Sequence, residues 1–170
     1  MSAPLPPGAE LVAPLPALNF LHVAALPLPR GPEAPLTPLA IWDLLTARPL
    51  PLMKAAFRLR DSISARFGVA RIGGFSGRRQ GQPQVGDKLD FFLIERSDAE
   101  VMTLTARDRH LDVMVCITTS GGRAGITTSV KTHNVFGKLC MLPVAPAHRL
   151  ILWTMMRRLR LALAARPAAG

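Results

Sequence analysis

The sequence predicts an α+β domain in which an antiparallel sheet carries helices on one face. Two observations predict it: apolar and polar residues alternate through most of residues 88–133, and helical periodicity flanks that stretch on both sides. Length and composition set the frame, since 170 residues with 49% hydrophobic content are enough for one domain that buries its own core. Cys116 and Cys140 are too few for a disulfide framework or a four-thiolate zinc site, and they point to a reducing compartment.

Ten of the 16 prolines precede residue 39, which excludes regular helix there and admits one edge strand, Asn19 to Leu28. Residues 1–16 read as a Pro-rich flexible arm, 17–165 as a single domain and 166–170 as a tail. Thr37 before Pro38 is an N-cap with proline at the first helical position, and Ile41, Leu44 and Leu45 mark one face of a short helix. A second helix runs from about Pro51 to Phe67, where Gly68 ends it, and a glycine-rich connection follows.

From Lys88 the period is two, with Leu89, Phe91 and Leu93 on one face, a turn at Arg96 to Ala99, and Met102, Leu104 and Ala106 returning. In the next strand Leu111, Val113, Val115 and Ile117 face one way, and His110, Asp112, Met114 and Cys116 the other. After Ser120-Gly121-Gly122-Arg123 the chain returns through Ile126, Thr128, Val130 and Thr132. A four-residue loop there sets Val113 opposite Val130, Asp112 opposite Lys131 and His110 opposite His133. The closing helix spans about Pro146 to Ala164, with His148, Leu152, Met155, Leu159 and Leu163 on one stripe and Arg149, Arg157 and Arg160 on another.

Charge is unevenly placed. All 11 acids lie before residue 113, while the remaining residues hold 8 of the 21 bases. A cationic C-terminal third attracts nucleic acid or anionic membrane, although 17 of the bases are Arg, as an arginine-rich proteome would also give. Residues 11–29 carry four prolines, and the stretch Leu139 to Met156 is broken by Pro143, Pro146, His148 and Arg149, so neither reads as a membrane span. The expectation is a soluble cytoplasmic protein.

Arg60-Asp61, Glu95-Arg96-Ser97-Asp98, Asp108-Arg109-His110-Leu111-Asp112, Lys131-Thr132-His133-Asn134 with Gly137, and His148-Arg149 resemble the bacterial domain-of-unknown-function 2867 family. The match covers about residues 17–160, and its most specific parts are Arg109 to Asp112 and Thr132 to Asn134. The resemblance implies a relation to the helix-grip, START-like (Bet v 1-like) superfamily. Its members wrap a curved antiparallel sheet with two short helices around a long C-terminal helix, often around an apolar cavity. Some relatives carry a nucleotide-binding reductase domain as well. Here Ile72-Gly73-Gly74-Phe75-Ser76-Gly77 lacks the strand, helix and acidic residue of a dinucleotide site, so no cofactor is implied. The family has no established activity.

Two groups of residues are candidate sites. His110, Asp112 and His133, with Lys131, come together in the predicted register. They are candidates for acid–base chemistry or a divalent metal, against an ion pair of Asp112 with Lys131 beside two solvated histidines. No complete metal-ligand set is predicted. His148 lies on the inward stripe, with Thr132 and Asn134 on the strand opposite, at the mouth of a pocket lined by Phe91, Leu104, Leu111, Val113, Val130, Leu152 and Met155. The alternative is that His148 satisfies buried backbone near Asn134.

These features rank a lipophilic small-molecule binding module first. An enzyme of hydratase or cyclase type using the His and Asp groups comes second. An interaction protein for nucleic acid or anionic membrane comes third, because 5% aromatic content without tyrosine gives no stacking platform.

Overall fold

The computed structural model describes residues 4–29, 36–47 and 83–164. The predicted helix from Pro51 to Phe67, Arg60 and Asp61, the glycine-rich connection up to Gly81, and the tail lie outside the described residues.

Alternating side chains and short turns build six antiparallel strands: β1 (Phe20–Pro27), β2 (Lys88–Leu89), β3 (Phe92–Ser97), β4 (Val101–Arg107), β5 (Leu111–Thr118) and β6 (Arg123–Thr132). They form one open sheet in the order β1-β6-β5-β4-β3-β2. The predicted pairing of β5 with β6 holds residue for residue, with Val113 opposite Val130 and Asp112 opposite Lys131. Between β3 and β4 the Asp98 carboxylate accepts from the Glu100 and Val101 amides at 2.9 and 2.7 Å. Those two bonds hold its carboxyl below the ordinary carboxylate range.

Among the described residues two helices cover one face: α1 (Pro38–Thr46) and α2 (Val135–Ala164). Thr37 Oγ1 caps α1 by accepting from the Ala40 amide, as predicted, but Trp42 joins Ile41 and Leu45 in the core while Leu44 is left exposed. Ile94, Met102, Leu104, Ile117, Ala124 and Ile126 of the sheet meet Ile41, Trp42, Leu45, Leu152, Leu159 and Leu163 of the helices in one cluster. An α+β sheet with a long C-terminal helix on one face agrees with a helix-grip arrangement.

Three expectations are corrected. Residues 88–94 are not one strand: β2 and β3 form a hairpin, Leu89 opposite Phe92, with Asp90 in the left-handed region at φ 59°. The two extra turn residues invert the parity, so Phe92 and Ile94 face the core, Leu93 is exposed, and Phe91 sits in the turn against the core edge. Next, α2 starts at Val135 rather than near Pro146, and Pro143 and Pro146 lie inside it. It is the one helix among the described residues long and apolar enough to cross a membrane, by length and composition alone.

Finally, the proline-rich arm is not loose where it is described. It crosses the second face of the sheet: the Glu10 amide donates to Cys116 Sγ at 3.3 Å, the Val12 amide to Ser129 Oγ at 3.0 Å, and Ser120 Oγ to the Pro7 carbonyl. Glu10 also pairs with Arg96 at 2.6 Å. Prolines lack amide donors, so a segment rich in them cannot extend the sheet. It docks instead on the short Ser, Thr, Cys and Gly side chains of that face. Gly125 shows the fit, since a Cβ there would stand 2.6 Å from Pro6 Cγ and 2.7 Å from Thr118 Oγ1.

Gly125→Val is therefore expected to destabilise the full chain by on the order of 2 kcal/mol in chemical denaturation, and by clearly less in a chain truncated before Pro14. Additive effects of the substitution and the truncation would contradict a docked arm.

Candidate functional site

Two of the strings that carried the resemblance, Asp108 to Asp112 and Lys131 to Asn134 with Gly137, meet at the junction between the β4–β5 turn and the start of α2. Asp108 Oδ1 accepts from the His110 and Leu111 amides at 2.7 and 3.0 Å, which closes that turn. Asn134 is the N-cap residue of α2: its Oδ1 accepts from the Gly137 amide at 3.0 Å, and its Nδ2 donates to the Arg109 carbonyl at 3.1 Å. The His110 ring lies tilted on Phe136, with centroids 4.6 Å apart and planes at 59°; its Nδ1 is 3.0 Å from Asn134 Nδ2 and 3.2 Å from Asn134 Oδ1, and its Nε2 accepts from Arg109 Nε at 3.0 Å. The His110 carbonyl accepts from the His133 amide at 2.8 Å and also lies against Gly137, where any Cβ would collide with it.

These contacts separate the predicted catalytic group. Asp112 meets His133, Nε2 to Oδ2 at 3.1 Å, while His110 turns away to Asn134 and Phe136. The register brings the two histidine backbones together, but the rings take different partners. The junction is thus a latch, in which side-chain caps and a glycine contact fix the helix to the sheet.

The second constellation lies farther along α2. His148 does not reach Thr132 or Asn134. It packs edge-to-face on β1, against Phe20 with ring centroids at 5.5 Å and 87°, and against His22 at 5.7 Å and 78°. His148 Nε2 and His22 Nδ1 are both sealed from solvent without a hydrogen-bond partner among the described residues. Thr132 Oγ1 is also sealed and unpartnered, but its side chain faces Gly137 at the latch. Burial holds the His148 pKa down at about 4, helped by His22 and then by Arg149. His22 is lowered too, first by its own burial and then by Arg149. The Arg149 guanidinium lies 5.7 Å from the centre of the Phe20 ring.

Of the other predicted lining residues, Leu104 and Leu152 are fully in the core cluster, and Val113, Met155 and Phe91 pack at its margin. Val130 is buried opposite Phe20, and Leu111 is half-buried opposite Thr132. Leu104, Val113, Val130, Leu152 and Met155 are thus on the helix-covered side with His148. Sequence reasoning missed Phe20 and His22, although the alternation Phe20, His22, Ala24, Leu26 in the predicted edge strand was the available signal.

The family sequence model described as "Protein of unknown function (DUF2867)" matches residues 15–155. The chain belongs to the DUF2867 family. The matched span takes in the whole sheet, α1 and the first part of α2, and so both the latch and the histidine pair of this DUF2867 domain. No curated protein and no solved structure matches the chain.

Two predictions follow from this geometry. Gly137→Ala must push the His110 backbone aside, because no side-chain rotation relieves the clash, and it should lower the unfolding free energy by about 2 kcal/mol or more. Unchanged stability in urea titration would contradict the latch.

A histidine whose pKa falls on folding leaves the unfolded state with more bound protons between the two values. His148 therefore contributes stability that is whole above about pH 6.5 and is lost as pH falls toward 4. The full loss is on the order of 3 kcal/mol. Melting temperature followed across that range should fall with pH in the native chain, and His148→Leu should flatten the slope.

Proposed function

We infer that this domain is a binding module for a small apolar or amphipathic molecule, held between α2 and the β1–β6 side of the sheet. A hydrogen-bonding group of the ligand would lie on His22 and His148. The observation that carries the reading is the pair of buried ring nitrogens without partners. Buried polar groups in native proteins are nearly always bonded, and a burial that is costly for folding is retained where a ligand completes it.

Apolar neighbours supply the rest of the chemistry. Leu152, Met155 and Val130 lie on the same side of the sheet, so the ligand has a hydrocarbon body and a polar end. Binding is favoured over proton transfer because an imidazole held near 4 is a weak base at neutral pH. The START-like relation supports the reading by analogy of fold alone. Two cysteines that form no disulfide among the described residues fit a reducing, cytoplasmic setting for it.

Native mass spectrometry of protein purified from its own host, with thermal shift against lipophiles that differ only in one hydrogen-bonding group, tests the reading. The polar-ended compounds should bind, and His148→Leu should weaken them about tenfold or more while melting no lower at pH 7. The reading fails if no ligand co-purifies and none shifts the melting temperature. It fails equally if the variant binds unchanged.

A further inference from the structure

The side of α2 that faces away from the sheet is unusually apolar for an exposed surface. Val135, Leu139, Leu142, Leu150, Trp153 and Leu161 recur at helical spacing and are all exposed, Leu142 at 70% and Trp153 at 60%. From Val135 to Leu161 they form a stripe of roughly 39 Å at 1.5 Å per residue. Lys138, Arg157 and Arg160 are exposed beside this stripe, and no acid occurs anywhere in α2. The Arg157 guanidinium lies 5.9 Å from the centre of the Trp153 ring, which leaves cation and indole side by side at the surface.

The geometry points to an anionic bilayer surface as the partner of this face, with α2 lying in the interface plane. Leucines and a tryptophan enter the acyl boundary, while the arginines and the lysine remain at headgroup level and meet lipid phosphates. Charge selects this occupant. A second copy would bring bases against bases with no acid in the helix to neutralise them. A nucleic acid would pair with the arginines but leave Leu139, Leu142 and Trp153 in water. Crossing the membrane is excluded for the folded domain, because Ile151, Leu152, Leu159 and Leu163 of the same helix are buried against its own core. The inference is independent of the ligand reading, since these side chains point away from His22 and His148.

Trp153 also supplies the test. The chain has two tryptophans, and Trp42 is buried, so a change in emission on adding vesicles reports Trp153. Sedimentation and fluorescence with phosphatidylglycerol vesicles should show binding and a blue shift, with phosphatidylcholine vesicles giving little of either. Raised salt should release the protein. Arg157→Glu and Arg160→Glu should each weaken binding at least about fivefold. Leu142→Ser with Trp153→Ser should abolish binding while the melting temperature holds, since both residues are exposed.

Equal binding to neutral and anionic vesicles, or none to either, would overturn the proposal. Self-association that Trp153→Ser removes, or DNA binding tighter than vesicle binding, would overturn it in favour of a second copy or of nucleic acid.

Discussion

The packing of α2 on the sheet is the constraint on which the rest of this structure depends. Leu152, Leu159 and Leu163 bury their side chains in the core cluster with strand and α1 residues, and burial of a leucine contributes about 1.5–3 kcal/mol. That is enough to hold a helix with two internal prolines, each of which removes one backbone hydrogen bond. The exposed Leu139 and Leu142 precede each proline by four residues, so the carbonyls that lose a donor belong to residues whose side chains face outward. At its start the helix is held differently, by the Asn134 cap and the closeness of Gly137 to the His110 carbonyl. Between these anchors lies His148, a residue that burial penalises and that no atom among the described residues repays with a hydrogen bond at Nε2.

The second face of the sheet follows another rule. Thr103, Thr105, Thr118, Thr127 and Ser129 are buried there with Cys116, a polar lining that ordinary hydrophobic packing would not favour. The arm makes sense of several of them, because its few free amides need acceptors and short side chains let the backbone approach. Its prolines, which cannot donate, fill space instead. One sheet is thus covered on one side by apolar helices and on the other by a strap whose own sequence forbids regular structure.

Much of this was legible in advance. A strand pair with a short loop and strict alternation leaves one register, and β5–β6 adopts it. The Thr37-Pro38 start of α1 is a local signal with a local cause, so it too could be read directly. The β2–β3 hairpin was not, because Asp90-Phe91 is an unusual turn pair and Asp90 takes a left-handed conformation that glycine or asparagine would have announced. Asn134 could have been read as a cap, but the two downstream prolines argued more loudly for a later start. The histidine pair was half visible. Helical spacing placed His148 inward correctly, whereas its partner on β1 depends on which edge of the sheet the helix crosses, and no local pattern encodes that. The histidine strings that stand out in the sequence turn out to build the latch, and the residues with unmet bonding capacity lie elsewhere.

The central claim is that the seam between His148 and His22 is completed by a molecule other than the protein. A high-resolution crystal structure of the chain purified from its own host tests this most directly. The account predicts density for a ligand with a polar atom within hydrogen-bond reach of His148 Nε2 or His22 Nδ1, and its hydrocarbon part against Leu152 or Met155. Density for nothing but protein, with the two rings rotated to bond each other or a backbone carbonyl, would contradict it.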